Sequence, residues 1–124
     1  MSANIVIPYY SSYGTTHKLA EAVAKGAEEI PGATVRRRRI PESPSAEEAM
    51  SGQDAYDAAQ AEMEDIPRVD HDDLHWADGI IWGTPTRFGN MAAQVKQFID
   101  TLGGMWFEGE LEGKATGMFV STGS

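Results

Sequence analysis

The sequence contains no cysteine among its 124 residues and only four lysines. Without cysteine, disulfides, thiolate nucleophiles and cysteine-ligated metal clusters are excluded, so any redox chemistry requires a bound cofactor. No apolar run approaches the roughly 20 residues of a membrane helix, and no charged leader with a cleavage site precedes the first predicted strand. We therefore expect one cytoplasmic domain over residues 1–124, without membrane insertion.

Basic residues are outnumbered, and the formal net charge is −9. Such a charge opposes binding to a polyanion, because Lys and Arg contacts to phosphates supply most nucleic-acid affinity. The exception is the run Arg36–Arg39 on the second predicted strand. Alternate side chains of a strand point to opposite faces, so these four cannot form one patch, and an edge strand with two arginines on each face is favoured over a polyanion site. We expect no nucleic-acid partner.

The acidic residues are concentrated between Glu42 and Asp78, where twelve acids accompany a single base, Arg68. Residues 42–76 lack a strong apolar stripe, and Gly52 interrupts their weak helical pattern, so we expect an acidic, partly ordered connection. Ser45 to Glu48 has the form of a capping box, and Asp70 is expected to cap a short helix ending near Ala77.

A pair of histidines in this segment, His71 and His75, has carboxylates between its members. The pair allows a metal-binding interpretation. A helix start in a solvated acidic segment explains the same pattern, however, and we expect no metal site.

The most informative stretch is an apolar run beginning at Ile5 that passes directly into the polar turn 11–16. Apolar residues then recur at helical spacing from Leu19 to Ile30. A helix start presents unpaired N–H groups and a positive dipole end, so hydroxyls from Ser11, Thr15 and Thr16 there suit a phosphate. The alternative is a capped turn in some other α/β domain.

A second strand–loop–helix unit follows the acidic connection. Gly79–Gly83 is expected to form a buried strand, residues 84–90 a polar loop, and the spacing of Met91, Val95 and Leu102 a helix that stops at Gly103-Gly104. In an open parallel sheet, ligands bind where the strand order reverses, at the carboxyl ends of the strands. Both loops are therefore expected to meet at one crevice.

The motif Gly-Thr-Pro-Thr-Arg-Phe-Gly-Asn-Met at residues 83–91 closely resembles the signature of WrbA-type NAD(P)H:quinone oxidoreductases, a branch of the flavodoxin-like superfamily. Further matches lie at residues 9–14, 103–106 and 121–123, in the same order. The resemblance implies a doubly wound parallel α/β sheet of order 2-1-3-4, with Ala115–Val120 as the fourth strand. Members of the family continue with a fifth strand and a last helix, which we expect to be missing from this chain.

The resemblance also implies a set of FMN-binding residues, and it identifies no catalytic side chain. The phosphate would be held by Ser11, Ser12, Tyr13, Gly14, Thr15 and Thr16. The flavin ring would be lined by Pro85, Thr86, Arg87, Phe88, Gly89 and Asn90. The third loop would comprise Ser121, Thr122, Gly123 and Ser124. Trp106 and Tyr13 would form the wall of the substrate site.

The implied activity is FMN-dependent, two-electron reduction of quinones by NADH or NADPH, in a homo-oligomer that is a tetramer in the family. Two rival functions remain open from the sequence. A flavodoxin-type electron carrier would use the acidic surface to dock a basic partner. A truncated chain could instead act only as an interaction module.

Overall fold

The computed structural model describes residues 1–123, which form five strands and six helices. In chain order these elements are β1 Ala3–Tyr9, α1 Thr15–Glu28, β2 Ala33–Arg39, α2 Pro44–Met50, α3 Asp54–Glu62, α4 His71–Trp76, β3 Gly79–Arg87, β4 Asn90–Met91, α5 Ala93–Asp100, α6 Gly103–Phe107 and β5 Ala115–Ser121. Among these residues, none of the helices has the length and apolar character needed to cross a bilayer.

Four of the strands form a parallel sheet in the order β2-β1-β3-β5. Ala3 pairs with Ala33 between β1 and β2, and β5 follows β3 in register from Gly79–Ala115 to Pro85–Ser121. Since β5 is the predicted fourth strand, the predicted flavodoxin-like order 2-1-3-4 is confirmed. All four strands end at the same edge of the sheet, where the polar loops follow.

The predicted number of strands was wrong, because the sheet contains a fifth strand. β4 pairs antiparallel with the end of β3, Thr86 opposite Met91 and Arg87 opposite Asn90. Phe88 (φ 53°) and Gly89 (φ 80°) form the two-residue turn between them. Two-residue hairpin turns of this kind require positive φ at both central positions and favour Asn or Gly, so a Phe there concealed the hairpin from sequence analysis.

The sheet is packed on both faces, as a doubly wound fold requires. On one face, α1 and α3 pack against β1 through Ile7, Tyr9, Ala20, Ala24, Ala59 and Met63. On the other face, α4, α5 and α6 bury Val6, Tyr10, Leu74, Ala92, Val95 and Met105. Because Val6 and Ile7 are both fully buried on opposite faces, β1 is the central strand that fixes the position of the loop after it.

The arginine run lies on β2 at the edge of the sheet, as the sequence predicted, and its side chains alternate between faces. Arg36 and Arg38 both contact the Asp73 carboxylate, at 3.3 and 3.1 Å. Arg37 points to the opposite face, 3.8 Å from Glu21. The run therefore binds the flanking helices α4 and α1 to the edge strand.

The acidic connection contains three helices, of which the sequence predicted the last as a defined helix and the other two only as weak helical order. The first begins with Ser43 as its cap and Pro44 at its first position, not at Ser45. Proline fits the first turn because the N–H it lacks has no helical partner. Asp70 caps α4, as predicted, and exchanges hydrogen bonds with Asp73 in a capping box.

The helix predicted from the spacing of residues 91–102 is shorter than expected. Met91 belongs to β4, and α5 runs only from Ala93 to Asp100. Gly103 and Gly104 begin another short helix, α6, which carries Trp106. The predicted single helix is therefore replaced by three elements, because the β3–β4 hairpin takes its start and α6 begins at its end.

Candidate functional site

Three loops at the carboxyl edge of the sheet enclose a cavity of about 200 Å³. The loop after β1, the end of β3 and the end of β5 each contribute polar side chains. The lining residues are Ser11, Ser12, Tyr13, Thr15, Thr16, Pro85, Thr86, Arg87, Ser121, Thr122 and Gly123. The sequence predicted the convergence of these loops, and we refer to this cavity as the loop pocket.

The first turn of α1 opens into the loop pocket without a side-chain cap. Gly14 precedes the helix in the left-handed conformation (φ 99°) and has no side chain of its own to cap it, and the first turn contains no acidic residue. The first N–H groups of such a helix lack helical partners, and its N-terminal dipole is positive. This helix start is therefore suited to an anionic ligand such as a phosphate.

Buried hydroxyl groups surround the helix start. The Ser11 Oγ accepts a hydrogen bond from the Gly14 N–H at 3.0 Å, which leaves the proton of this hydroxyl available to a ligand. Thr16 is only 1% exposed, and its Oγ1 lies 2.9 Å from the Ser121 Oγ. Because this pair shares one hydrogen bond, one of its two hydroxyl protons also remains available. The first and third loops are thus already joined to each other.

Arg87 supplies the positive charge of the loop pocket. Its Nη2 donates to the Ser12 Oγ at 2.8 Å, and its Nη1 donates to the Thr86 carbonyl at 2.9 Å. Among residues 1–123, no carboxylate lies within 4 Å of this guanidinium. In a protein of net charge −9, an arginine held by neutral partners keeps its charge for a ligand.

Sequence analysis missed a hydrogen-bond network behind the loop. Tyr10 donates to Glu42 Oε2 at 2.6 Å, and Ser12 donates to the Tyr10 hydroxyl at 2.9 Å. Burial and the bond to Glu42 both raise the pKa of Tyr10. Gln60 donates to the backbone carbonyls of Ser11 and Ser12, at 3.0 and 3.1 Å. The acidic connection therefore supports the loop, a role that its solvated composition did not indicate.

Several predicted site residues lie outside the loop pocket. Phe88 is fully exposed at the tip of the β3–β4 hairpin, and Gly89 and Asn90 line a different cavity. Trp106 is 73% exposed on α6 and belongs to neither cavity lining.

Tyr13 does line the loop pocket, and its hydroxyl donates to Gln53 Oε1 at 3.2 Å. The predicted Ser124 lies outside the described residues.

That different cavity is an apolar groove of about 610 Å³ beside β5, which we call the β5 groove. It adjoins the loop pocket at Thr86, which lines both. Its lining residues are Trp82, Thr84, Thr86, Gly89, Asn90, Met91, Val95, Ile99, Thr116, Gly117, Met118 and Val120. Met118 and Val120 point their apolar side chains to solvent here.

The histidines considered as a metal pair bind separate partners. His71 Nε2 lies 3.0 Å from the Thr101 Oγ1, and His75 Nε2 lies 3.5 Å from Glu110. A third histidine, His17, approaches Glu21 and Glu62. Arg37 Nη1 lies 3.8 Å from that same Glu21 carboxylate, so a cation already stands beside this group.

The parallel order, the helix start and the three converging loops define a flavodoxin-like fold with a polar pocket at the carboxyl ends of its strands. Sequence comparison gives the family. Residues 8–124 match the NADPH-dependent FMN reductase family, and the chain belongs to it.

Individual relatives agree with this assignment. The chain is 49% identical over 121 residues to the NAD(P)H dehydrogenase (quinone) of Geobacter sulfurreducens, which covers 96% of the chain and 58% of that protein. It is 47% identical over 118 residues to the protein of the same name from Geotalea uraniireducens, covering 95% of the chain and 57% of that protein. The chain therefore spans less than three fifths of these relatives.

A solved structure shows the same fold. The flavodoxin, WrbA-like protein from Agrobacterium tumefaciens superposes with a TM-score of 0.66 and is 33% identical, covering 99% of this chain and 62% of that one. The resemblance to the WrbA type, predicted from residues 83–91, is thereby confirmed.

Proposed function

We propose that the chain binds FMN and belongs to an oxidoreductase that reduces quinones by two electrons at the expense of NAD(P)H. The observation that carries the proposal is the loop pocket, where an uncapped helix start, buried hydroxyls and an arginine held by neutral hydrogen-bond partners meet. The names of the Geobacter and Geotalea relatives support the reaction.

The residues of the loop pocket fit a phosphate ester. The α1 N–H groups and the available protons of Ser11 and the Thr16–Ser121 pair are donors, and Arg87 adds a positive charge. FMN, when bound, supplies the hydride chemistry, so the protein needs no acid or base of its own. Its side chains hold the phosphate through these donors, and Arg87 places positive charge beside it.

The substrate wall and the assembly are part of the proposal. Trp106 is exposed and so is available to contact a flat substrate or a second subunit. We propose that it borders the quinone, together with Tyr13, and that the protein is a cytoplasmic homo-oligomer. Replacing Trp106 with Ala is expected to lower turnover with a quinone while leaving FMN affinity within about twofold, because the residue lies away from the loop pocket. Unchanged kinetics would remove Trp106 from the substrate wall.

The test is a visible spectrum of the purified chain after incubation with FMN and removal of the excess. Flavin bands that NADH or NADPH bleaches under anaerobic conditions, and that menadione restores, support the oxidoreductase. Bands that neither nucleotide bleaches support the electron carrier. A colourless protein contradicts FMN binding and leaves an interaction module. Bleaching rates with the two nucleotides identify the preferred donor.

A further inference from the structure

The hydroxyl groups behind Arg87 form a chain in which every hydrogen bond has a fixed direction. A guanidinium can only donate, so the Ser12 Oγ accepts from Arg87 Nη2 at 2.8 Å. At the other end the Glu42 carboxylate can only accept, so the Tyr10 hydroxyl donates to it at 2.6 Å. The single Tyr10 proton is thereby used, and Ser12 donates to the Tyr10 oxygen at 2.9 Å.

Glu42 is the fixed end of this chain. Besides Tyr10, its carboxylate accepts from the Tyr56 hydroxyl at 2.9 Å, from the Gln94 side chain at 2.6 Å and from the Ser43 N–H at 2.9 Å. Its donors therefore come from the end of β1, from α3, from α5 and from its own turn. A carboxylate that accepts four hydrogen bonds from separate elements is held rigidly.

The fixed direction of these hydrogen bonds changes the role of the Ser12 hydroxyl. Because its proton is committed to Tyr10, this hydroxyl offers only acceptor lone pairs toward the loop pocket, and Arg87 uses one of them. Ser12 was predicted to bind the phosphate, but in this arrangement it does not donate to an anion. It orients the guanidinium, which does.

We propose that Tyr10 and Glu42 are positioning residues that hold the Arg87 guanidinium at the loop pocket through the hydroxyl of Ser12. Tyr10 is buried and lies outside the loop-pocket lining. The inference rests on the proposed function, because the bound ligand used to test it is FMN. Its protein-only consequence, a guanidinium restrained by Tyr10, does not depend on that ligand.

The structure contains a matched control. Tyr10 and Tyr56 are both buried phenols that donate to the same oxygen of Glu42, but only Tyr10 continues to Ser12. Replacing either with Phe removes one hydroxyl and one bond to Glu42. Any difference in binding between Tyr10→Phe and Tyr56→Phe therefore reports the connection to Arg87.

The experiment is a set of FMN titrations on the full chain and the variants Tyr10→Phe, Tyr56→Phe, Arg87→Ala and Tyr10→Phe with Arg87→Ala. We expect Tyr10→Phe to weaken FMN binding by roughly tenfold and Tyr56→Phe by less than about twofold. In the Arg87→Ala background, Tyr10→Phe is expected to have no further effect, since the guanidinium it positions is gone. A purely structural role of Tyr10 would instead weaken binding equally in both backgrounds.

A second measurement separates this inference from the proposed function. Restricted rotation of the Arg87 guanidinium in the ligand-free protein is expected to give separate Nη proton signals in low-temperature NMR, which Tyr10→Phe averages and Tyr56→Phe preserves. If wild type binds no FMN but shows this pattern, the function is wrong and the positioning role stands. If FMN binds and the two Phe variants match in affinity and in NMR, the positioning role is overturned.

Discussion

The loop pocket and the β5 groove adjoin at Thr86 but differ in how the chain has prepared them. In the loop pocket, buried hydroxyls and Arg87 are already held by hydrogen bonds to each other and to the acidic connection. In the β5 groove, apolar side chains meet solvent, and Met118 is 71% exposed. One region is organised before a ligand arrives, and the other exposes surface that is costly to leave in water.

The difference leads to an expectation about function. A prearranged polar pocket lowers the ordering cost of binding an anion, so we expect the described residues to carry the phosphate affinity of the proposed FMN site. The β5 groove lies along a strand that has a neighbour on only one side within residues 1–123. We therefore expect perturbations of the first region to change stability and cofactor affinity, and perturbations of the second to change association.

Alkaline pH is expected to have the largest effect, and it acts on three buried tyrosines, Tyr9, Tyr10 and Tyr56. Burial raises the pKa of Tyr9 to about 12, and burial together with Glu42 raises the pKa values of Tyr10 and Tyr56. A tyrosine whose folded pKa is raised stabilises the fold fully below pH 10 and loses that contribution as pH rises above it. Tyr9 alone corresponds to about 2 kcal/mol of lost stability by pH 12.

The measurement is urea unfolding between pH 8 and 12, with tyrosinate absorbance followed in parallel. We expect stability to be flat below about pH 9.5 and then to fall, with tyrosinate appearing as the protein unfolds. Tyrosinate signals from all these residues at pH 10 in a protein that remains folded would contradict the burial of this network.

The next largest effect is expected from a methyl group at Gly83, in the central strand β3. A Cβ there lies 2.3 Å from the Phe119 ring and 2.8 Å from the Tyr9 Cβ. Crowding of this kind destabilises by about 1–3 kcal/mol, so Gly83→Ala should lower the free energy of unfolding in urea by about 2 kcal/mol. A Cβ at Gly117 on β5 meets nothing within 4 Å, so Gly117→Ala should change the free energy of unfolding by less than about 0.5 kcal/mol. Equal losses in both variants would refute the packing difference between the two strands.

A smaller effect, on cofactor affinity, is expected from Thr16→Val. This substitution preserves shape but removes the hydroxyl that joins Thr16 to Ser121 and supplies a donor to the loop pocket. FMN binding should weaken by about 1–2 kcal/mol in a fluorescence titration. Thr116→Val makes the same chemical change in the β5 groove and should not alter the affinity. If both variants bind FMN as wild type does, Thr16 is not a ligand.

The smallest effect on stability is expected from Met118→Lys in the β5 groove. The side chain is largely exposed, so unfolding should change by less than about 0.5 kcal/mol. A charge on this apolar strand should weaken self-association, measured by sedimentation velocity over a range of concentrations. Ile30→Lys, at another exposed apolar residue, is the control and should leave association unchanged. If Ile30→Lys weakens self-association and Met118→Lys does not, the contact between copies lies outside the β5 groove.

The family resemblance predicted the parallel order, and apolar periodicity predicted the strand and helix on either side of the loop after β1. Apolar runs indicated β1 and β3, whereas the Arg36–Arg39 run alternates between faces as a strand must. Turn chemistry predicted less. The hairpin around Phe88 violates the usual preference for Asn or Gly, and Pro44 moved a helix start from Ser45 to Ser43.

The polar loops that line the candidate site could be predicted from the sequence, but the residues that support these loops could not. Hydroxyls beside a strand end point directly to a phosphate, so Ser11 and Thr16 could be chosen from the chain alone. Glu42 could not, because its role depends on donors from residues as distant as Gln94. A hydrogen-bond network around a partly buried carboxylate leaves no local pattern and appears only once the fold brings the elements together.

The most direct test of the account is a comparison of FMN with riboflavin in titrations of the same purified chain. The two ligands share the ring and the ribityl chain and differ only in the phosphate. Because the loop pocket supplies charge-assisted donors to that phosphate, we expect FMN to bind at least about a hundredfold more tightly. Equal affinities for the two ligands would contradict the assignment of the loop pocket as a phosphate site.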